Sequence, residues 1–138
     1  MYKYHILPHT ADVRLKVSGK NLNELFEAAL AGINEIIKPG FCAKKTKPEY
    51  TQPVALEARN VTELLVGFLS EVLALSHEKK CIFCEVRFLE FLPTKLSAEL
   101  RGSAQTSFEE DIKAVTYHEA EVRQNPDASW ETVLVFDI

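Results

Sequence analysis

Glycine is scarce in this chain, with five residues in 138. None stands at the spacing of a phosphate-cradling loop, a dinucleotide fingerprint or a nucleophile elbow, and HExxH is missing too. No apolar run reaches the roughly 18–20 residues that a membrane-spanning helix needs. The start, Met1-Tyr2-Lys3-Tyr4-His5, lacks a signal-peptide layout. Cysteines number three, an odd count with no regular framework, which fits a reducing compartment. These absences predict a cytoplasmic protein. Basic charge is not in excess either: 16 Lys and Arg face 20 Asp and Glu, a net charge of −4. That balance disfavours a sequence-independent grip on nucleic acid, which relies on neutralising phosphates. Lys44-Lys45-Thr46-Lys47 reads as a local basic patch or as a solvated loop. No repeat, low-complexity tract or linker is visible. With 46% hydrophobic and 26% charged residues, the composition is that of one globular domain spanning 1–138.

What is present alternates between strand and helix patterns. Val13, Leu15 and Val17 alternate with Arg14 and Lys16, predicting a strand over 12–17. Asn21, with Glu24 three residues on, caps a helix over 22–38 whose stripe is Leu22, Leu25, Phe26, Ala29, Ile33, Ile36 and Ile37. Pro39-Gly40 ends it. A polar loop over 40–52 leads to a strand over 54–58. Asn60 and Glu63 repeat the capping pattern for a second helix, with Gly67 inside it, that fades at 76–80. Strands follow over 81–88 and 95–101, joined by a turn at 91–94. A loop over 103–111 precedes a long strand or bent pair over 112–123. Gln124-Asn125-Pro126-Asp127 turns the chain into a last strand over 130–137. The order implies an α+β fold: mostly antiparallel sheet with two helices packed on it.

Several residues in or beside these strands are candidates for chemistry. The chain closes on Phe136-Asp137-Ile138, where a side-chain carboxylate and the α-carboxylate follow the apolar run Val133-Leu134-Val135-Phe136. Carboxylates that close repel unless a cation or basic side chain neutralises them. The alternative is a frayed, solvated terminus. Asp12 opens the first strand, at the end of His9-Thr10-Ala11-Asp12, which also reads as a turn bonding its own backbone. Asp12, Asp137 and the terminal carboxylate make an oxygen set suited to calcium, magnesium or manganese rather than zinc. In 111–118, strict alternation places Lys113, Val115 and Tyr117 on one face, and Ile112, Ala114, Thr116 and His118 on the other. Lys113 balances an acidic site or snorkels to water. His118 is a structural or a functional histidine. Cys81-x-x-Cys84 is half a zinc motif, with His77 and Cys42 as conceivable partners, but residues three apart on a strand face opposite ways. Packed or surface thiols are the other reading.

At these places the chain resembles the archease family. The matching segments are His9-Thr10-Ala11-Asp12-Val13 with Gly19, Glu24-Leu25-Phe26 and the Ala-rich helix after it, Ile112 to His118, and Val135-Phe136-Asp137-Ile138. The likeness runs along essentially the whole chain. It implies an α+β fold of strand–helix–strand–strand units and an accessory role, not an enzyme's, beside RtcB-type RNA ligases. Such ligases join RNA ends carrying a 2′,3′-cyclic or 3′-phosphate to a 5′-hydroxyl, notably in tRNA splicing. They first load guanylate onto a histidine. The resemblance implies that this chain promotes that loading and multiple turnover, meeting RNA only through the ligase. It also implies a calcium-type ion held by Asp12, Asp137 and a main-chain or terminal oxygen of Ile138. His9, Lys113 and His118 are weaker candidates for partner contact. Many members place an acidic residue before the motif's histidine; Pro8 stands there in this chain and leaves one carboxylate fewer.

Two readings from other classes compete. One is a stand-alone metal-dependent phosphoester hydrolase, with His9 or His118 as general base. The other is a chaperone-like or RNA-binding module.

Overall fold

A computed structural model describes residues 1–7, 12–44, 47–105 and 107–138. The elements in order are β1 (Lys3–Leu7), β2 (Asp12–Gly19), α1 (Leu22–Ile37), β3 (Tyr50–Glu57), α2 (Val61–Lys79), β4 (Cys81–Leu92), β5 (Lys95–Ala104), β6 (Ala114–Thr116), β7 (Arg123–Gln124) and β8 (Trp130–Asp137). A short 3-10 turn, Cys42–Lys44, lies between α1 and β3. The α+β expectation is met, with two antiparallel sheets. In one, β1, β2, β8 and β6 lie side by side, and β7 shares the β6 edge of β8. The other runs β3-β5-β4.

Both helices begin as their caps dictate. The Asn21 side chain accepts the Glu24 N–H at 2.9 Å, and Asn60 does the same for Glu63. Glu24 reaches back to the Lys20 N–H at 3.0 Å, one residue before the cap. α2 runs to Lys79, within the expected end at 76–80, and stops at Lys80, whose left-handed φ of 51° ends the helical path. α1 rests on β1, β2 and β4, and α2 on β3, β4 and β6, so both helices sit between the two sheets' apolar faces. Phe26 of α1, Phe68 of α2, and Phe88 and Phe91 of β4 meet there; the Phe26 and Phe91 rings cross edge-on with centroids 4.8 Å apart. Gly32 lets α1 come down on β2: a Cβ there would stand 2.5 Å from Leu15 Cδ2.

Two expectations are corrected. Lys3–Leu7 forms a strand that the sequence pattern did not announce. Of the two readings of 112–123, the pair of strands is the one found, as the short β6 and β7. Alternation also fails across 112–115, because Ile112 and Val115 are both buried. The chain is irregular until Ala114, so the two residues need not face opposite ways.

Candidate functional site

The register of β2 against β8 sets Asp12 directly opposite Asp137. On the other side of β8, Ala114 of β6 is also opposite Asp137. Opposed residues of an antiparallel pair share a face, with Cβ atoms roughly 4.5–5.5 Å apart. The next row, Val13, Phe136 and Val115, is buried. Asp12, Asp137 and Ala114 therefore form an exposed row at the sheet's end, held from beneath by an apolar one. The end of β8 is anchored. Phe136 is fully buried, Ile138 packs against the core, and the Lys113 N–H donates to the Asp137 carbonyl at 2.7 Å.

Two carboxylates in this position repel each other. Neither makes an ion pair with a described residue. The next cation on their face is Arg14, two residues along β2. It is committed to Glu119, with Nε at 2.8 Å and Nη2 at 2.9 Å from the two carboxylate oxygens. Those bonds hold the Glu119 carboxyl below its ordinary value. Glu119 reaches β2 from a turn closed by the Ala120 N–H on the Tyr117 carbonyl, at a left-handed φ of 65°. Lys16, further on, lies 3.6 Å from Glu131. Sequence reading missed Glu119, and its spacing from Arg14 gives no local signal.

The other candidates fall in different places. Lys113 adjoins the acidic row through its backbone, and its side chain is exposed. His118 is exposed, with its N–H on Thr116 Oγ1 at 3.3 Å, and lies where the chain runs away from Asp137. His9 lies outside the described residues. Among the described residues no group of three or more His, Cys, Asp or Glu side chains gathers for a metal. Among the described residues the oxygens gathered there are two side-chain carboxylates and those of Ile138, a set whose chemistry would suit a hard cation that keeps much of its water.

The half zinc motif is corrected. Cys84 is joined to Cys42 in a disulfide, so Cys81 and Cys84 are neither a metal pair nor two free thiols. Cys81 is buried, and that burial, with Glu49 adding to it, pushes its thiol up to about 11. His77 turns elsewhere, with Nε2 at 3.3 Å from the Ile112 carbonyl and 3.7 Å from Asp111 Oδ1. It lines a groove of about 450 Å³ between α2 and residues 111–115, whose Ala114 belongs to the acidic row.

The class these features define is a small antiparallel α+β sandwich with an acidic row at one sheet end. The profile of the archease protein family (MTH1598/TM1083) matches residues 4–138. The chain belongs to the archease family. It is 34% identical to protein archease of Methanosarcina acetivorans, over 99% of this chain and 96% of that one. Protein archease of Thermococcus kodakarensis is 29% identical over the full length of both. The solution structure of protein 1598 of Methanobacterium thermoautotrophicum superposes with a TM-score of 0.74 at 20% identity, covering 99% of this chain and 98% of that one. The crystal structure of an archease from Thermotoga maritima, described as a possible chaperone, gives a TM-score of 0.64 at 19% identity, covering 96% and 94%. Both show the fold. No helix among the described residues is long and apolar enough to cross a membrane.

Proposed function

We propose that this chain activates an RtcB-type RNA ligase, promoting the ligase's guanylylation and its multiple turnover, and that it works as a protein cofactor. The observation that carries the reading is the opposition of Asp12 and Asp137 with no described cationic partner. Asp12, Asp137 and a main-chain or terminal oxygen of Ile138 hold a hard divalent cation, calcium or else magnesium or manganese. When bound, that ion supplies positive charge at an otherwise anionic tip. The chain's own part is to fix the two carboxylates. The buried row of Val13, Phe136 and Val115 sets their height, and the Arg14–Glu119 pair keeps a competing cation away. The groove beside Ala114 offers an adjoining surface for the partner protein, and RNA is met only through the ligase.

The test mixes this chain, well below stoichiometric amounts, with an RtcB-type ligase, GTP and a divalent metal. Guanylate attachment and ligations per ligase molecule are followed. Both rise, and the chain alone does nothing. Asp12→Ala and Asp137→Ala remove the gain while the circular dichroism spectrum is kept. Equal stimulation by those variants refutes the acidic-tip reading. Phosphoester turnover by the isolated chain refutes the cofactor reading.

A further inference from the structure

The Cys42–Cys84 disulfide stands apart from the acidic row and from every residue used above. Cys42 is exposed on the 3-10 turn Cys42–Lys44; Cys84 is half-buried on β4, an edge strand of its sheet. Both sulfur-bearing residues line a cleft of about 580 Å³ between β1 and β4, with Tyr2, Tyr4, Lys47 and Arg101. A neighbouring hollow of about 380 Å³ shares Cys84, Tyr2, Ala31, Glu85 and Arg101.

Among the described residues the bond is the covalent link from the turn to β4, beside the core contact of the neighbouring Phe41. Among the described residues no hydrogen bond or ion pair joins Cys42–Lys44 to β4 or β5. The Lys44 N–H bonds the Phe41 carbonyl within the segment itself. Among the described residues the segment makes such contacts at Lys47 and Glu49, with Ser103 Oγ on the Lys47 carbonyl and the Glu49 N–H on the Gly102 carbonyl. Cys81 is no third participant, since it is fully buried.

We propose that Cys42 and Cys84 are a thiol–disulfide exchange site for a dithiol reductant, and that the exchange fastens or frees the turn at the mouth of the β1–β4 cleft. A thiolate of the reductant attacks the exposed Cys42 sulfur. The bond between the two cysteines breaks, Cys84 leaves as a thiolate, and a mixed disulfide forms on Cys42. The reductant's second thiolate attacks its own sulfur in that mixed disulfide and releases Cys42. The reductant ends as a disulfide, two electrons pass to this chain, and both thiolates take up protons at neutral pH. Cys81, desolvated and mostly protonated, takes no part.

The experiment uses the full chain in buffers of reduced and oxidised dithiothreitol, with thiols counted by mass after alkylation without denaturant. The oxidised chain shows no reactive thiol, and the reduced chain shows two, at Cys42 and Cys84. Reoxidation restores the first state. Hydrogen exchange at amides 38–44 becomes about tenfold faster on reduction, while α2 and β8 are unchanged. Cys42→Ser shows the faster exchange in every buffer, and Cys81→Ser still responds. Failure to recover a linked 42–84 peptide after mild oxidation overturns the proposal. So does unchanged exchange at 38–44 on reduction, or global unfolding on reduction, which would make the bond purely structural.

Discussion

Arg14 and Glu119, 105 residues apart, meet through two parallel hydrogen bonds on the outer face of the sheet that carries the acidic row. The guanidinium nearest to Asp12 along β2 is thereby directed away from it. Glu119→Gln should return Arg14 to its neighbours and weaken cation binding. Both side chains are 38% exposed, so the change is modest. A solvent-screened surface pair contributes little, so the loss in affinity is no more than a few-fold. Calcium titration by calorimetry checks this, and affinity equal to wild type refutes it.

Removing one carboxylate of the opposed pair should act in two directions. Asp137→Asn stabilises the ion-free chain by about 0.2–1 kcal/mol, since like charges across a strand pair are unfavourable. The same substitution abolishes any rise in melting temperature on adding calcium. Thermal scans with and without the ion read both effects.

Acid sensitivity follows from the caps and surface pairs. Glu24, bonded chiefly by the Lys20 N–H, and Glu63 and Glu119, each bonded chiefly by an arginine, sit below their ordinary value of 4.5. Their contribution is fully present above that value and is lost as pH falls through the lower folded-state values. Glu27 runs the other way. Burial, with Glu24 nearby, raises it, so its ionisation opposes folding as pH climbs past 4.5. Melting temperature should therefore fall between pH 5 and pH 3. Glu24→Gln should shallow that slope, and Glu27→Gln should raise stability near neutrality. A slope unaltered in Glu24→Gln would remove the cap from the account.

The disulfide spans 42 residues of sequence. Loops of that size make a cross-link worth about 2–4 kcal/mol, chiefly through the unfolded chain. Cys42→Ser should lower the unfolding free energy by that amount in urea under oxidising conditions. Under reducing conditions it should match wild type.

Gly32→Ala would press a methyl group onto Leu15, with a cost of about 1–3 kcal/mol. Combined with Leu15→Ala it should cost less than the sum of the two single changes. Equal stability of the single variant and wild type would show that Leu15 turns aside freely.

Signals confined to neighbouring residues were legible in the sequence. Asn21 with Glu24 and Asn60 with Glu63 mark the helix starts, because a cap and its partner are three positions apart. β8 coincides with its apolar run. β1 escaped because it is an edge strand: Ile6, facing Leu15, stays 43% exposed, and no clean alternation is written into it. The faces of 112–118 were misread because burial of both Ile112 and Val115 depends on α2 and β8 passing nearby. Asp12 and Asp137 were each conspicuous, but their opposition is a matter of register, which only the pairing of β2 with β8 fixes. The Cys42–Cys84 bond was hidden for a related reason: the spacing favoured Cys81 with Cys84, and strand geometry separates those two.

β8 lies between β2 and the β6–β7 edge, so the strand made after all the others completes the middle of its sheet. During synthesis β2 waits beside β1 with one side unmatched until more than a hundred further residues have emerged. Distant pairing of this kind slows folding, and it leaves a nascent chain sticky along that strand for much of its time on the ribosome.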